Sequence, residues 1–259
     1  MVVGQVLAVL AAGFGAGVVL ASVGAGSLVS FPILLAVGIP PLVANTSNCV
    51  GLVPGGLSGS WGYRRELAPV RSLVARVAVT SAAGALLGAA VLLVLPSTAF
   101  DAVVPVLVLV AATLVGVQPL VSRALVRRAA RRGVVDRPDR VEMGSGLTTV
   151  SSVIGVYGGY FGAAQGVMLM ACLALGLDLP LQVVNGLKNV AVLSANVAAT
   201  VVFVVVGPLD WAVVALVALG SLAGGWLGAH VGRRLPAALF RTLVVTFGYV
   251  VGIRLLLSA

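Results

Sequence analysis

Charge is scarce in this chain: 9% of its 259 residues are Asp, Glu, Lys or Arg, against roughly 25% in a soluble domain of ordinary composition. The seven carboxylates, Glu66, Asp101, Asp136, Asp139, Glu142, Asp178 and Asp210, all stand in loops or at the ends of apolar runs, as does the single histidine, His230. No acid is therefore placed inside an apolar run to relay protons or bind sodium, which weighs against a cation transporter. No Ser-His-Asp set, metal-ligand cluster or phosphate-binding glycine loop points to an enzyme, and no cofactor or metal is expected. Only two cysteines occur, Cys49 and Cys172, both inside apolar segments, so no disulfide is implied.

What fills the chain instead is apolar: 60% of residues are hydrophobic. Runs of about eighteen or more apolar residues follow one another almost to the C-terminus, which is the signature of a multi-pass helical membrane protein. A β-barrel would alternate polar and apolar residues, and runs such as VVFVVVG and AVLLVLP do not. The first apolar run, 2–23, has neither a basic n-region nor a small-residue cleavage site and reads as a retained segment. The formal net charge of +9 could suggest nucleic acid. The arginines cluster in short loops between spans, however, where they set topology, and no nucleic-acid partner is expected.

Taken in order, the first run stops at Gly24-Ala25-Gly26-Ser27, and a shorter one, 28–37, stops at Gly38-Ile39-Pro40-Pro41. At about 1.5 Å per residue, ten to fourteen residues span roughly half to two thirds of a hydrocarbon core of about 30 Å. The pair therefore reads as a helical hairpin with a short second arm. Spans follow over about 42–61, with a kink expected at Pro54-Gly55-Gly56, then 73–95 and 102–121. A polar linker, 122–142, carries seven arginines and reads as a topology-setting cytoplasmic loop, a headgroup contact being the other reading. The second half replays the first. The run 141–161 is broken at Gly162-Ala163-Ala164-Gln165-Gly166, a short arm 167–175 ends at Gly176, and spans follow over about 183–206, 211–230 and 237–257. Gly24 matches Gly162 and Gly38 matches Gly176, each 138 residues on. After a two-residue slip Asn45 matches Asn185 and Asn48 matches Lys188. The organisation is a first transmembrane repeat, 1–121, the linker, 122–142, and a second repeat, 143–259.

If each short arm returns the chain to its starting side, the loops after Trp61, Val121 and His230 share one face. Those loops hold Arg64, Arg65, Arg71, the seven linker arginines, Arg233 and Arg234, while the loops at Gly38, Pro96 and Gly207 hold no Lys or Arg. That distribution obeys the positive-inside rule. It makes the fold all-α and polytopic, with two inverted repeats of four helices, the first helix of each broken into a helix-turn-helix. Basic loops are then cytoplasmic in a cell membrane, and both termini lie outside.

The lone lysine sits within such a run. In VVNGLKNVAVLSAN, Asn185, Lys188 and Asn189 fall at i, i+3 and i+4 and share one helix face, with Asn196 two turns further. In VANTSNCV, Asn45, Asn48 and Cys49 repeat the spacing. The short arms begin near Gly26-Ser27 and Gln165-Gly166, where helix N-termini expose N–H groups and about half a positive charge. Two such starts facing each other make an anion site. Lys188 adds a full charge that costs roughly 2.5–3.5 kcal/mol at a bilayer centre and needs a partner, which a bound anion would be. Snorkelling to the headgroups or capping of backbone carbonyls is the alternative for Lys188. Interhelical hydrogen bonding is the alternative for Asn45, Asn48, Asn185 and Asn189, which otherwise donate amide N–H groups to substrate oxygens. Thr46, Ser47, Ser27 and Gln165, with Gly26 and Gly166, complete the candidate set, and Asn196 is a supporting donor.

At GAGSLVSFPILLAVGIPPLVANTSN and GGYFGAAQGVMLMACLALGLDLPLQVVNGLKNV the chain resembles the TauE/SafE family of sulfite exporters and sulfonate permeases. The resemblance covers nearly the whole chain. It implies a four-plus-four inverted architecture whose first helix in each repeat is a helix-turn-helix, and movement of sulfite, organosulfonates or related small anions. The expected function is a permease for a small sulfur-containing oxyanion. The alternatives are a carrier of another small organic anion and a membrane assembly factor that transports nothing. Expected partners are the anion and the lipid bilayer, and self-association is compatible with the sequence.

Overall fold

The computed structural model describes residues 2–131, 142–231 and 237–258. Helices account for nearly all of them: α1 Val3–Ser22, α2 Ser27–Ala36, α3 Pro41–Gly51, α4 Val53–Trp61, α5 Arg64–Leu67, α6 Arg71–Val94, α7 Ser97–Arg131, α8 Ser145–Tyr160, α9 Gln165–Gly176, α10 Leu181–Val206, α11 Trp211–Val231 and α12 Ala237–Ser258. No strand occurs among the described residues. Among the described residues five stretches are long and apolar enough to cross a membrane: Val3–Ser22, Arg64–Val94, Ser97–Leu120, Leu181–Val206 and Trp211–His230. The short arms α2 and α9, of 10 and 12 residues, reach only about 15 and 18 Å. Both expected hairpins are present.

Three details differ from the sequence expectation. The 42–61 span breaks at Leu52, between α3 and α4, with Pro54 in the first turn of the new helix rather than at the kink's centre. A proline lacks the N–H and crowds the carbonyl four residues earlier, so the chain yields before it. Helix α7 continues past Val121 through Arg131, because the Ala-, Leu- and Arg-rich start of the linker favours helix. Gly38 ends α2 at φ +90°, whereas its match Gly176 remains the last residue of α9. The remainder of the linker, with Arg132, Arg137 and Arg140, and the 232–236 stretch, with Arg233 and Arg234, lie outside the described residues.

Packing crosses the two halves in a matched way. Helix α1 packs on α11 and α8 on α6; α4 lies on α11 and α10 on α6; α2 touches α12 and α9 touches α7. The sequence supplies the means in four small-xxx-small pairs. Gly13 and Gly17 of α1 meet Val217 and Ser221 of α11, while Gly220 and Gly224 of α11 meet Leu10 and Phe14 of α1. Gly84 and Gly88 of α6 meet Ser152 and Val156 of α8, while Gly155 and Gly159 of α8 meet Ser81 and Ala85 of α6. At each of these glycines an added Cβ would collide with backbone of the facing helix. In lipid, where apolar helices gain nothing by leaving water, such close backbone approach is what drives association. Aromatic rings lock the centre: Phe31 of α2 meets Phe161 edge-on at 5.3 Å, and Phe100 of α7 meets Tyr160 at 5.7 Å.

Candidate functional site

The two broken hairpins turn by the same device. Val23 and Gly24 both donate to the Val19 carbonyl, at 2.8 and 2.9 Å, and Phe161 and Gly162 both donate to Tyr157, at 2.9 and 3.0 Å. Gly24 and Gly162 stand at φ +83° and +75°, a conformation open to glycine at no steric cost. The breaks then touch. The Gly166 N–H donates to the Gly24 carbonyl at 3.0 Å, and a Cβ on either glycine would lie within 2.8 Å of the other's Cα. Any side chain here would push the hairpins apart.

Backbone donors are left over at this contact. Ala25, Gly26 and Ser27 donate to no carbonyl among the described residues, and neither do Ala163 and Ala164. In α9, by contrast, Gln165, Gly166 and Val167 donate to Gly162, Gly24 and Ala164. The α2 start thus keeps the more open run of amides, while the Gly24 carbonyl occupies part of the α9 start. Buried N–H groups without acceptors are costly, and a bound anion is the acceptor such a helix start favours.

Lys188 enters from α10. It is 1% exposed, its Nζ has no hydrogen-bond partner, and its Cδ would lie 3.1 Å from a Cβ placed on Gly24. Its ammonium therefore neither snorkels to the surface nor caps a carbonyl. Gln165, fully buried over Gly158 of α8, leaves both its amide nitrogen and its oxygen unpaired. The Asn48 Oδ1 is unpaired as well. Unpaired buried polar atoms number only a few per domain in native proteins, and each calls for an explanation. Ser30, one turn into α2, adds a buried unpaired hydroxyl. It was overlooked in the sequence although it lies three residues after Ser27 on the same helix face.

The asparagines divide. Asn189 donates to Ala21 O at the end of α1, at 3.2 Å, and Asn45 donates to Tyr160 O at the end of α8, at 3.0 Å. Each ties a broken helix's terminal carbonyl to a span of the other half, the interhelical use that was the alternative reading. Asn185 donates to the Tyr63 hydroxyl at 2.6 Å, away from the breaks. Thr46 donates to Pro208 O, and Ser47 accepts from the Asp210 N–H at 2.9 Å, so both fasten α3 to the loop before α11. Asn196 faces Cys49, 3.8 Å from its sulfur. Gly26 packs against the Ala16 carbonyl of α1, and Ser27 is half-buried at the α2 start. The breaks thus gather Lys188, Asn189, Gly26, Ser27, Gln165 and Gly166 around hairpin contacts, with Asn45 on the α8 side, while Asn185 and Thr46 serve elsewhere. Among the described residues no group of three His, Cys, Asp or Glu is placed to hold a metal.

A model of the family described as sulfite exporter TauE/SafE matches residues 9–255, which include both helix breaks and every candidate residue. The chain belongs to the TauE/SafE family. It is 28% identical over 246 residues, 95% of this chain and 90% of the relative, to the probable membrane transporter protein ORF9 of a Sinorhizobium species. It is 28% identical over 239 residues, 92% of this chain and 89% of the relative, to a probable membrane transporter protein of Haemophilus influenzae. No solved structure matches significantly. Membership in TauE/SafE, together with helices that can cross a bilayer, makes the protein a multi-pass membrane transporter.

Proposed function

We propose that the protein is a permease for a small sulfur-containing oxyanion, such as sulfite, sulfoacetate or another organosulfonate, bound between two inverted repeats and moved by alternating access. The observation that carries this reading is the Lys188 ammonium, 1% exposed and unpaired, beside the Gly24–Gly166 contact. A lone buried charge is destabilising unless something compensates it, and an oxyanion does so while also accepting from the free amides of Ala25, Gly26 and Ser27. The unpaired Gln165 amide nitrogen offers a neutral donor for a further oxygen. Charge would bring the anion to the site, and the amides would orient it. The matched crossing of the halves, α1 on α11 and α8 on α6, suits a plan in which one repeat rocks against the other about a central site. We place the protein in the cell membrane with its basic loops cytoplasmic and both termini outside.

The test is the thermal shift of the purified protein with sulfite, sulfoacetate, sulfate and acetate, followed by flux of labelled sulfite into proteoliposomes with and without a pH gradient. Stabilisation by sulfur anions and saturable flux are expected. Stabilisation by acetate with no response to any sulfur anion would replace this reading with a carrier of organic anions.

A further inference from the structure

Equivalent stretches of the two halves are built differently: the first is broken into α3 and α4, whereas α10 runs unbroken over Leu181–Val206. Beside Pro54, a side chain from α11 enters the break. Gly55 N–H, which in a continuous helix would donate to Gly51 O, donates instead to Ser221 Oγ at 3.2 Å, and the Ser221 hydroxyl lies 2.8 Å from Gly51 O as its donor. The hydroxyl is inserted into the helical ladder, with regular bonds Leu52 to Asn48 and Gly56 to Leu52, both 2.9 Å, on either side of it. Ser58 adds a bond to Leu222 O at 3.0 Å, so α11 splints the bent segment.

The other half holds the same residue in the same register. Ser81 of α6 precedes Ser221 by 140 residues, the offset that relates Asn45 to Asn185. Its surroundings match: Ser221 backbone packs on Gly17 of α1 and Ser81 backbone on Gly155 of α8. Gly225, one turn after Ser221, meets Gly55, and Ala85, one turn after Ser81, packs with Ala195 of α10. Ser81 is fully buried, and its hydroxyl has no partner. Helix α10, which packs on α6, is continuous over this stretch and offers it no open bond.

We infer that Ser81 is a positioning residue of the transport cycle, whose hydroxyl bridges a break between Ala191 and Ala195 in the opposite access state. This rests on the alternating-access reading, but not on the identity of the substrate. Proline-free α10 can bend reversibly, because Ala195 keeps an N–H that re-forms its bond to Ala191 when the hydroxyl withdraws.

The experiment compares wild type, Ser81→Ala and Ser221→Ala in three measurements: flux of labelled sulfite in proteoliposomes, melting temperature, and amide hydrogen exchange over 188–197. Removing a partnerless buried hydroxyl should leave melting unchanged or raise it. Flux of Ser81→Ala should nonetheless fall about tenfold or more, the scale of one hydrogen bond missing from a required state, with slower exchange at Ala191–Ala195. Ser221→Ala should melt lower. Wild-type flux and exchange in Ser81→Ala, or a lower melting temperature in that variant, would overturn the proposal. If the wild type moves no sulfite, the substrate reading fails on its own, and exchange in Ser81→Ala decides the role of the serine.

Discussion

The two helix breaks are built alike and equipped differently. Both end a helix by a pair of amides on one carbonyl and a glycine at positive φ, and both are tied to the opposite half by one asparagine, Asn189 on Ala21 and Asn45 on Tyr160. Only the first has a charge beside it: Lys188 lies against Gly24, while its match in the other half is the neutral Asn48. Only the second donates to the other break, by the bond from Gly166 to Gly24, which leaves the Ala163 and Ala164 amides free. The difference lies in equipment on a shared frame: the matched glycine turns fix the geometry, and lysine in place of asparagine gives the two breaks unequal charge.

The comparison breaks most sharply at the lysine. Lys188→Ala should lower flux ~30-fold or more, by analogy with the 2–5 kcal/mol lost when one partner of a buried charge pair is truncated. Its melting temperature in the absence of anion should not fall, because an uncompensated charge has left the interior. Flux and melting measured on the same preparation check both halves of that statement. Next in size is the glycine contact. Gly24→Ala should cost about 2–4 kcal/mol, combining left-handed strain with overpacking against Gly166. Gly38→Ala, at φ +90° but with open space around it, should cost only the strain, about 1–2 kcal/mol, as read from the two melting temperatures. Moving the charge sharpens the comparison further. In Lys188→Asn, adding Asn48→Lys should recover about tenfold of the lost flux if the breaks are interchangeable anion holders, a change of about 1.4 kcal/mol. No recovery would show that the α9 start, partly occupied by the Gly24 carbonyl, cannot substitute for the α2 start. Smallest are the ties: Asn45→Ala and Asn189→Ala should each lower stability by about 0.6 kcal/mol, the mean for interhelical hydrogen bonds in a membrane. Unequal losses would mean that one asparagine also binds substrate.

Much of the fold could be read from the chain because its signals are local. Apolar run length gave the helices, though among the described residues only five are long and apolar enough to cross a membrane, and the expected spans over 42–61, 141–161 and 237–257 are not among them; glycine clusters gave the breaks, and the constant spacing from Gly24 to Gly162 pointed to the repeat. Reading the site went less far. That Asn45, Asn48, Lys188 and Asn189 lie on matching helix faces follows from i, i+3, i+4 spacing, but spacing does not say what a face meets. Asn185 turned out to meet Tyr63, and Thr46 to meet Pro208. The small-xxx-small pairs were visible as letters, yet their partners were not, since α1 finds α11 some 200 residues later in the chain.

The sequence by itself determined a membrane-embedded, all-helical, duplicated chain with one cation in its apolar interior, since composition and run length leave no other way to satisfy the backbone in lipid. Tertiary structure alone decided that the two breaks touch through Gly24 and Gly166, that Lys188 arrives there unpaired, and that Ser221 replaces a helical bond in one half while the Ser81 hydroxyl has no partner in the other. These depend on which helices face each other across the two halves, and that is set by close backbone approach between residues far apart in the chain, which local pattern does not encode.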